Sequence, residues 1–569
     1  MFKKFSSVVL VVLALALVLS FGIISAQDDI PRGGTVVVNQ ANSAGWVRNF
    51  NPFAPQPIDG TTNIIYDPLV AYDPVDGGEP TYWLATGSEY TEDLTAVIFH
   101  LREGVLWSDG EPFTADDVVF TFNLLQEFPA LIDRGGVRAF TESAEAIDDL
   151  TVQFNLTDVY SLAHIYLGGL RIVPEHIWSE IEDPVTYTND DPVTTGPFSE
   201  VTDFSSQSYT ICRNPNFWME GQPYVDCLRY PAINGNDAAN LALINGELDW
   251  VGNFVPDIET TYVAQDPEHN HYYFWGGGGP WGFYVNTEMA PFDDVAFRQA
   301  LAQAIPYETI RDTAMNGYTN VVPENASGIY PNWADWVPQS VLDTISDMGL
   351  GVYDPDRAIQ TLDEAGYVDG DGDGWRDQPD GSPIAFTTQI VNGWTDVVTA
   401  TQVITQSFQD IGLNASMITP EFGEWQSNLQ QGTFQASLAW SNWGATPYDF
   451  FHNIMGSDLI TDEGIRQGQH MPGWTSPEVD ELLQNFLQTA DPAEQKDIIG
   501  QIDQIFVENV LMSPLSPWPT WYEYSTLRFT GWPTEEDYYA QGSPWQNDAA
   551  RIVAVNIHCI DDTTCGQSE

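Results

Sequence analysis

Five aspartates and a glycine fall at the spacing of a calcium loop in the stretch Asp369-Gly-Asp-Gly-Asp-Gly-Trp-Arg-Asp-Gln-Pro-Asp380. Read as twelve positions, Asp369, Asp371, Asp373, Asp377 and Asp380 supply carboxylates. Gly374 stands where the sharp turn is required, and Trp375 offers its carbonyl. Two features depart from the pattern: the last position is Asp rather than the longer Glu, and Ile384 to Ile390 reads as a strand instead of an exiting helix. The sequence therefore leaves two readings open, a structural calcium site and a solvated turn. No cofactor is required by any other segment.

Catalytic chemistry has little to stand on. There is no Gly-x-Ser-x-Gly, no His-Glu-x-x-His and no Cys-x-x-Cys, so the nucleophile and metalloprotease signatures are missing. His269 and His271 make a surface pair with no further ligand. Gly276 to Gly279 is not followed by Gly-Lys-Ser/Thr and is not a phosphate loop. A secreted hydrolase is the distant alternative to a binding protein. Cys212, Cys227, Cys559 and Cys565 are the four cysteines. Three pairings are open, and Cys212–Cys227 with Cys559–Cys565 close the shortest loops.

The charge excludes whole classes of partner. The chain has 18 basic and 81 acidic residues, a formal net charge of −63. Such a surface repels nucleic acid and anionic lipid headgroups. It suits solubility outside the cell, or a salty medium that screens self-repulsion. Lys3 and Lys4, the apolar run Val8 to Leu19 and the small residues Ser25-Ala26 form a secretory signal peptide over residues 1–26. The mature chain is expected to begin near Gln27 and to act in the periplasm or outside the cell. No Cys follows the apolar run, so a lipid anchor on Cys is not available.

The elements that must position any site read as mixed α/β. Thr35 to Val38 and Ala96 to Leu101 read as strands. Thr114 caps a helix with Asp116 and Asp117 in its first turn, where acids are favoured. A strand pair over 208–230 turns through Asn214-Pro215-Asn216. Helices are expected near 236–245, 293–304, 355–365, 396–411, 477–488 and 492–509. Mixed elements over this length indicate α/β lobes rather than one core.

These blocks carry a resemblance. Phe99-His-Leu-Arg-Glu-Gly-Val-Leu-Trp-Ser-Asp-Gly-Glu-Pro-Phe-Thr-Ala-Asp-Asp-Val-Val-Phe120 resembles the family 5 extracellular solute-binding proteins, which include peptide-capturing subunits of ABC importers. Thr195-Gly-Pro-Phe198, Arg213-Asn-Pro-Asn-Phe-Trp218, Pro291 to Leu301, Tyr353 to Arg357 and Pro477 to Leu483 agree in order. The resemblance implies a two-lobe, periplasmic-binding-protein-like α/β fold with a ligand cleft between the lobes and an extra subdomain. Lobe I would comprise 27–72, 190–277 and 527–569, the subdomain 73–189 and lobe II 278–526. The chain would cross between lobes at the glycines 276–279 and near Tyr522–Leu527. It also implies a monomeric, non-enzymatic protein that gives a small molecule, peptide or oligosaccharide, to ABC permease subunits.

In peptide-binding relatives an Asp shortly after a Gly/Ala-Trp pair holds the ligand's α-amino group. The matching stretch is Ala439-Trp-Ser-Asn-Trp-Gly-Ala-Thr-Pro447, and the aligned position is Trp443. An indole suits a sugar ring better than an ammonium. Trp443 and Asn442 are therefore expected to hold the ligand from lobe II, with Asn42 and Trp46 answering from lobe I and Trp281 a further candidate.

Overall fold

The computed structural model describes residues 30–40, 43–72, 80–561 and 563–564, with the side chains of 275–278 and 547 left aside. The expected signal peptide, Asn42 and Cys565 lie outside the described residues. Three sheets organise the rest. A seven-stranded sheet is built from Asn270–Tyr272, Glu523–Ser525, Trp250–Val251, Thr35–Asn39, Cys227–Pro231, Ser208–Arg213 and Phe198–Thr202, in that spatial order. A five-stranded sheet runs Asn414–Ile418, Ala385–Gln389, Ala436–Trp440, Trp275–Val285 and Met512–Thr520. A four-stranded antiparallel sheet between Ala85 and Leu156 forms the extra subdomain.

Residue alternation explains how the five-stranded sheet is buried. Along Trp275–Val285, Trp281, Phe283 and Val285 enter one apolar core and Tyr284 the other. Leu438 and Ala439 divide in the same way. Successive side chains of a strand point to opposite faces, so a sheet covered by helices on both sides must be apolar throughout. Helices Val295–Gln303 and Thr395–Asp410 cover the face with Phe283 and Phe386; Pro447–Met455 and Pro492–Asn509 cover the other. The subdomain has no separate core. Val97, Phe99 and Phe154 join one cluster with Val36, Ile211 and Trp250 of the seven-stranded sheet.

Local signals were carried into the structure closely. Thr114 and Asp117 make a reciprocal capping box at the start of helix Ala115–Glu127, which satisfies two otherwise free backbone donors. Cys212 and Cys227 face each other across antiparallel strands and form a disulfide. The glycine run, where a crossing between lobes is expected, is extended. Its backbone belongs to strand Trp275–Val285, which pairs with Met512–Thr520 through a register shift between Gly276 and Pro280. Gly279 has a reason to be glycine. Its φ is +139°, and a Cβ there would come 1.9 Å from the Ser441 carbonyl.

Two buried carboxyls give the fold a pH dependence. Asp503 and Glu523 are both fully buried. Asp503 accepts a hydrogen bond from the Ser327 hydroxyl at 2.8 Å, and Glu523 one from the Asn253 amide at 3.2 Å. Burial pushes both well above the carboxylate range. The folded chain therefore holds protons that the unfolded chain releases, and stability falls as pH rises through the raised values. The contribution is complete below the unfolded carboxylate range. Thermal unfolding should occur at higher temperature at pH 5 than at pH 8, with a smaller difference in Asp503→Asn. Equal pH slopes for the two proteins would remove Asp503 from this account.

Candidate functional site

The cleft forms where the carboxyl ends of strands from both large sheets converge, the usual ligand position in open α/β sheets. Thr35–Asn39 and Trp250–Val251 are parallel neighbours, and beyond their ends stand Gln40 and Gly252-Asn253-Phe254. Ala385–Gln389 runs parallel to both Ala436–Trp440 and Asn414–Ile418. Beyond those ends stand Trp394 and Asp396, Trp440 to Asn442, and Phe422. Trp518 and Trp521 come from the strand that returns between the lobes, and Trp545 with Gln546 from the loop before the last helix. Together these residues line a cavity of about 410 Å³.

Its walls are aromatic and amide-rich. Trp394 lies 5.7 Å from Trp440 and 5.9 Å from Phe422 between ring centroids, and Phe254 meets Trp521 edge-on at 5.4 Å. Asn236, Asn253, Gln40, Asn442 and Gln546 supply donors and acceptors among the rings. Among the described residues, Asp396 is the single acid of this compartment. It sits in the first turn of helix Thr395–Asp410 and receives the Asn236 amide at 3.4 Å. Burial pushes its carboxyl up to about 6, against opposing backbone hydrogen bonds. Asn236 also donates to Thr395 at 3.2 Å, so these contacts join the two lobes across the cleft.

A second compartment of about 430 Å³ shares Asn442 and Gln546 with the first. Arg134, Arg171, Asp449 and Asp548 give it charge, and Tyr166 a phenol. Most of that charge is committed. Arg171 pairs with Asp548 at 2.9 Å and donates to the Thr62 and Gly169 carbonyls. Asp449 closes a capping box with Thr446 and accepts the Tyr166 hydroxyl at 2.6 Å. Burial raises its carboxyl, and the Tyr166 hydrogen bond opposes that rise.

The expected ligand contacts are brought together only in part. Asn442 is exposed and lines both compartments. Trp443 does not reach the cleft. It is 1 % exposed in the core with Phe450 and Phe451, and its N–H donates to the Gly328 carbonyl at 2.7 Å. The chain turns back at Gly444, which has φ +63°, so residue 443 points inward while Trp440 looks out. Trp281 is likewise core, donating to the Ser516 hydroxyl at 2.7 Å. Trp46 packs edge-on against Tyr209 and donates to the Tyr230 carbonyl at 3.1 Å, away from the cleft lining. The rings that do line it, among them Trp394, Phe422, Trp518 and Trp545, were missed. The available signal was their place a few residues past a strand's carboxyl end or at a crossing between lobes.

In the aspartate loop, Asp369, Asp371 and Asp373 bring carboxylate oxygens within 4.8 Å of one another. Asp377 instead accepts the Gly370 amide at 2.9 Å, and Asp380 caps the Ser382 turn through its amide at 2.9 Å and its hydroxyl at 2.6 Å. Trp375 donates its amide to Asp373 at 2.8 Å. Cys559 is not free. Among the described residues, no helix is long and apolar enough to cross a membrane.

Comparison with known proteins agrees with this geometry. The oligopeptide-binding protein AppA of Bacillus subtilis is 25 % identical over 432 residues, covering 72 % of this chain and 73 % of its own. Its structure with a nonapeptide superposes with a TM-score of 0.77 at 20 % identity, over 94 % of this chain and all of that one. A periplasmic oligopeptide-binding protein of an ABC transporter from Thermotoga maritima, solved with mannohexaose bound, reaches a TM-score of 0.84 at 27 % identity, over 93 % of this chain and 99 % of that one. Residues 79–461 match the model of the bacterial extracellular solute-binding proteins, family 5; the chain, with its two α/β lobes and the cleft between them, belongs to that family.

Proposed function

We propose that this capture subunit of an ABC importer binds an uncharged oligosaccharide in the aromatic compartment of its cleft. The observation that carries the reading is the wall itself. Flat rings interleaved with side-chain amides match sugar faces and hydroxyls. A free-amine peptide needs a buried anion, because an unpaired ammonium in a closed cleft is costly. Asp396 is held high enough to be partly neutral near pH 6, and Asp449 is occupied by Tyr166 and Thr446. The likeness to a protein that holds mannohexaose supports the same reading. The charged second compartment favours a peptide as the second reading.

Binding draws the lobes together by shifting an open–closed equilibrium toward the closed state. The ligand is released unchanged to the permease, and a separate ATPase supplies the energy. The mature protein works outside the cytoplasmic membrane. Calorimetry on ligand-free protein tests the ligand class. Manno-, gluco- and xylo-oligosaccharides of two to six units should bind, and di- to pentapeptides should not. Tight binding of free-amine peptides with no response to any oligosaccharide would replace this reading by the peptide one.

For the loop at 369–373 we propose a structural calcium ion held by the three clustered carboxylates. Calcium should raise the unfolding temperature by a few degrees, EDTA should reverse the gain, and Asp371→Asn should abolish it. An unfolding temperature indifferent to both reagents assigns the aspartates to the turn alone.

A further inference from the structure

Behind Trp440 lies another cavity, of about 120 Å³, bordered by Trp425, Gln430, Gln469, His470 and Met471. Trp440 lines both this cavity and the main cleft, so one indole stands between them. His470 is 1 % exposed, and neither of its ring nitrogens has a hydrogen-bond partner among the described residues. The side-chain oxygen of Gln469 is buried and equally unpartnered. Buried polar groups in native folds are nearly always satisfied, and leaving one orphaned is costly. Three together at one cavity point to an occupant.

The chemistry of that occupant follows from the donors and acceptors. Burial keeps His470 below the usual histidine range, against its own backbone and the Asp458 charge, and the Arg466 charge acts with burial. A neutral imidazole offers one N–H donor and one acceptor nitrogen, and the Gln469 oxygen adds an acceptor. The occupant must therefore give two hydrogen bonds and take one. A carboxylate has no hydrogen to give, and an ammonium has no lone pair to take with. Water does both, and so do neighbouring hydroxyls on one sugar unit, for which the Trp440 and Trp425 indoles supply apolar walls.

The cavity is built on a fixed support. Arg466 is 4 % exposed, donates to the Asn286 side chain at 2.9 Å and to the Met471 carbonyl, and pairs with Glu288. A Cβ at Gly473 or Gly432 would come within 2.4 or 2.8 Å of its guanidinium. The charge is thus spent inside the protein, and the loop that carries His470 is anchored by it.

We infer that this cavity is a subsite for one neutral, hydroxyl-bearing unit of the ligand, the terminal sugar of the chain, with His470 and Gln469 as its hydrogen-bonding partners and Trp440 as its wall. It rests on the oligosaccharide reading of the cleft. The test uses protein labelled with ¹⁵N-histidine, with the His470 ring assigned from His470→Phe, and mannose and mannohexaose as probes. Both His470 ring nitrogens should shift with either sugar. Mannohexaose affinity should fall about tenfold in His470→Phe and in Gln469→Leu, two variants whose unfolding temperatures check their folding. Full-strength hexaose binding in both variants with an unmoved ring shows a merely hydrated cavity and overturns the subsite alone. A ring shift with mannose but no binding of any oligosaccharide keeps the subsite and overturns the cleft reading. An unmoved ring with no sugar bound overturns both.

Discussion

Trp394→Ala should weaken binding of the tightest oligosaccharide by about 30- to 100-fold, a loss of about 2–3 kcal/mol, while leaving the unfolding temperature nearly unchanged. The ring is half-buried on the cleft wall and touches Trp440 and Phe422 at its edges. Stacked aromatic anchors of this kind carry most of a ligand's contact energy. Trp443→Ala should behave in the opposite way. That indole is core, so truncation should cost about 3–5 kcal/mol of stability and further strand the Gly328 carbonyl. Affinity measured on the folded fraction should stay within about threefold of wild type. Calorimetry paired with thermal unfolding separates the two. Equal affinity losses in both variants would return Trp443 to the ligand site and sink the assignment made from its burial.

Arg551→Met should destabilise the fold by about 3–5 kcal/mol. Arg551 is fully buried in the last helix. Its guanidinium lies 3.0 Å from Asp67, also fully buried, and 3.0 Å from Asp548, and it donates to the Tyr66 carbonyl at 2.6 Å and the Thr62 carbonyl at 3.1 Å. Burial pushes the Asp67 carboxyl up to about 6 even with Arg551 beside it. Without the arginine, Asp67 must take up a proton or stay charged in an apolar setting, and the Tyr66 carbonyl loses its donor, while the Thr62 carbonyl keeps only Arg171. The unfolding transition of the seven-stranded lobe should drop by about 10 °C. The double variant Asp67→Asn, Arg551→Met should recover part of that loss, because no charge is then stranded. A drop of under about 2 °C in the single variant would mean that the pair contributes little.

What the sequence reveals depends on the range of the signal. Caps, turns and periodic faces are local, and helices Asn236–Ile244, Pro355–Glu364, Thr395–Asp410 and Pro477–Gln488 stand where their patterns place them. The cleft is not local. Phe254, Trp394, Phe422, Trp440 and Trp521 are scattered along the chain, and only the parallel strand order brings their ends to one place. Composition cannot rank them, since the chain holds 20 tryptophans and most large buried side chains are aromatic. Alignment to a motif picked Trp443 because it counts residues and cannot see the turn at Gly444 that sends that ring inward. The glycine run shows a related limit. Glycine's freedom suggests a hinge between lobes, and what the sequence does not show is that at Gly279 the missing Cβ serves the close approach of the backbone to Ser441.

The seven-stranded sheet also sets an order on its own assembly. One of its inner strands, Glu523–Ser525, lies between Trp250–Val251 and Asn270–Tyr272 yet follows the whole five-stranded sheet in the chain. A polypeptide emerging from its N-terminus has every strand of the later-numbered lobe by Thr520, while the first-numbered lobe still lacks an interior strand and the helix bearing Arg551. Loop closure over such a separation is slow compared with local pairing. The lobe begun first is thus completed last, and during that interval the unpaired edges at Trp250–Val251 and Asn270–Tyr272 stand open to wrong partners. A chain truncated after Thr520 would keep one finished lobe and present the other as a ready substrate for chaperones and proteases.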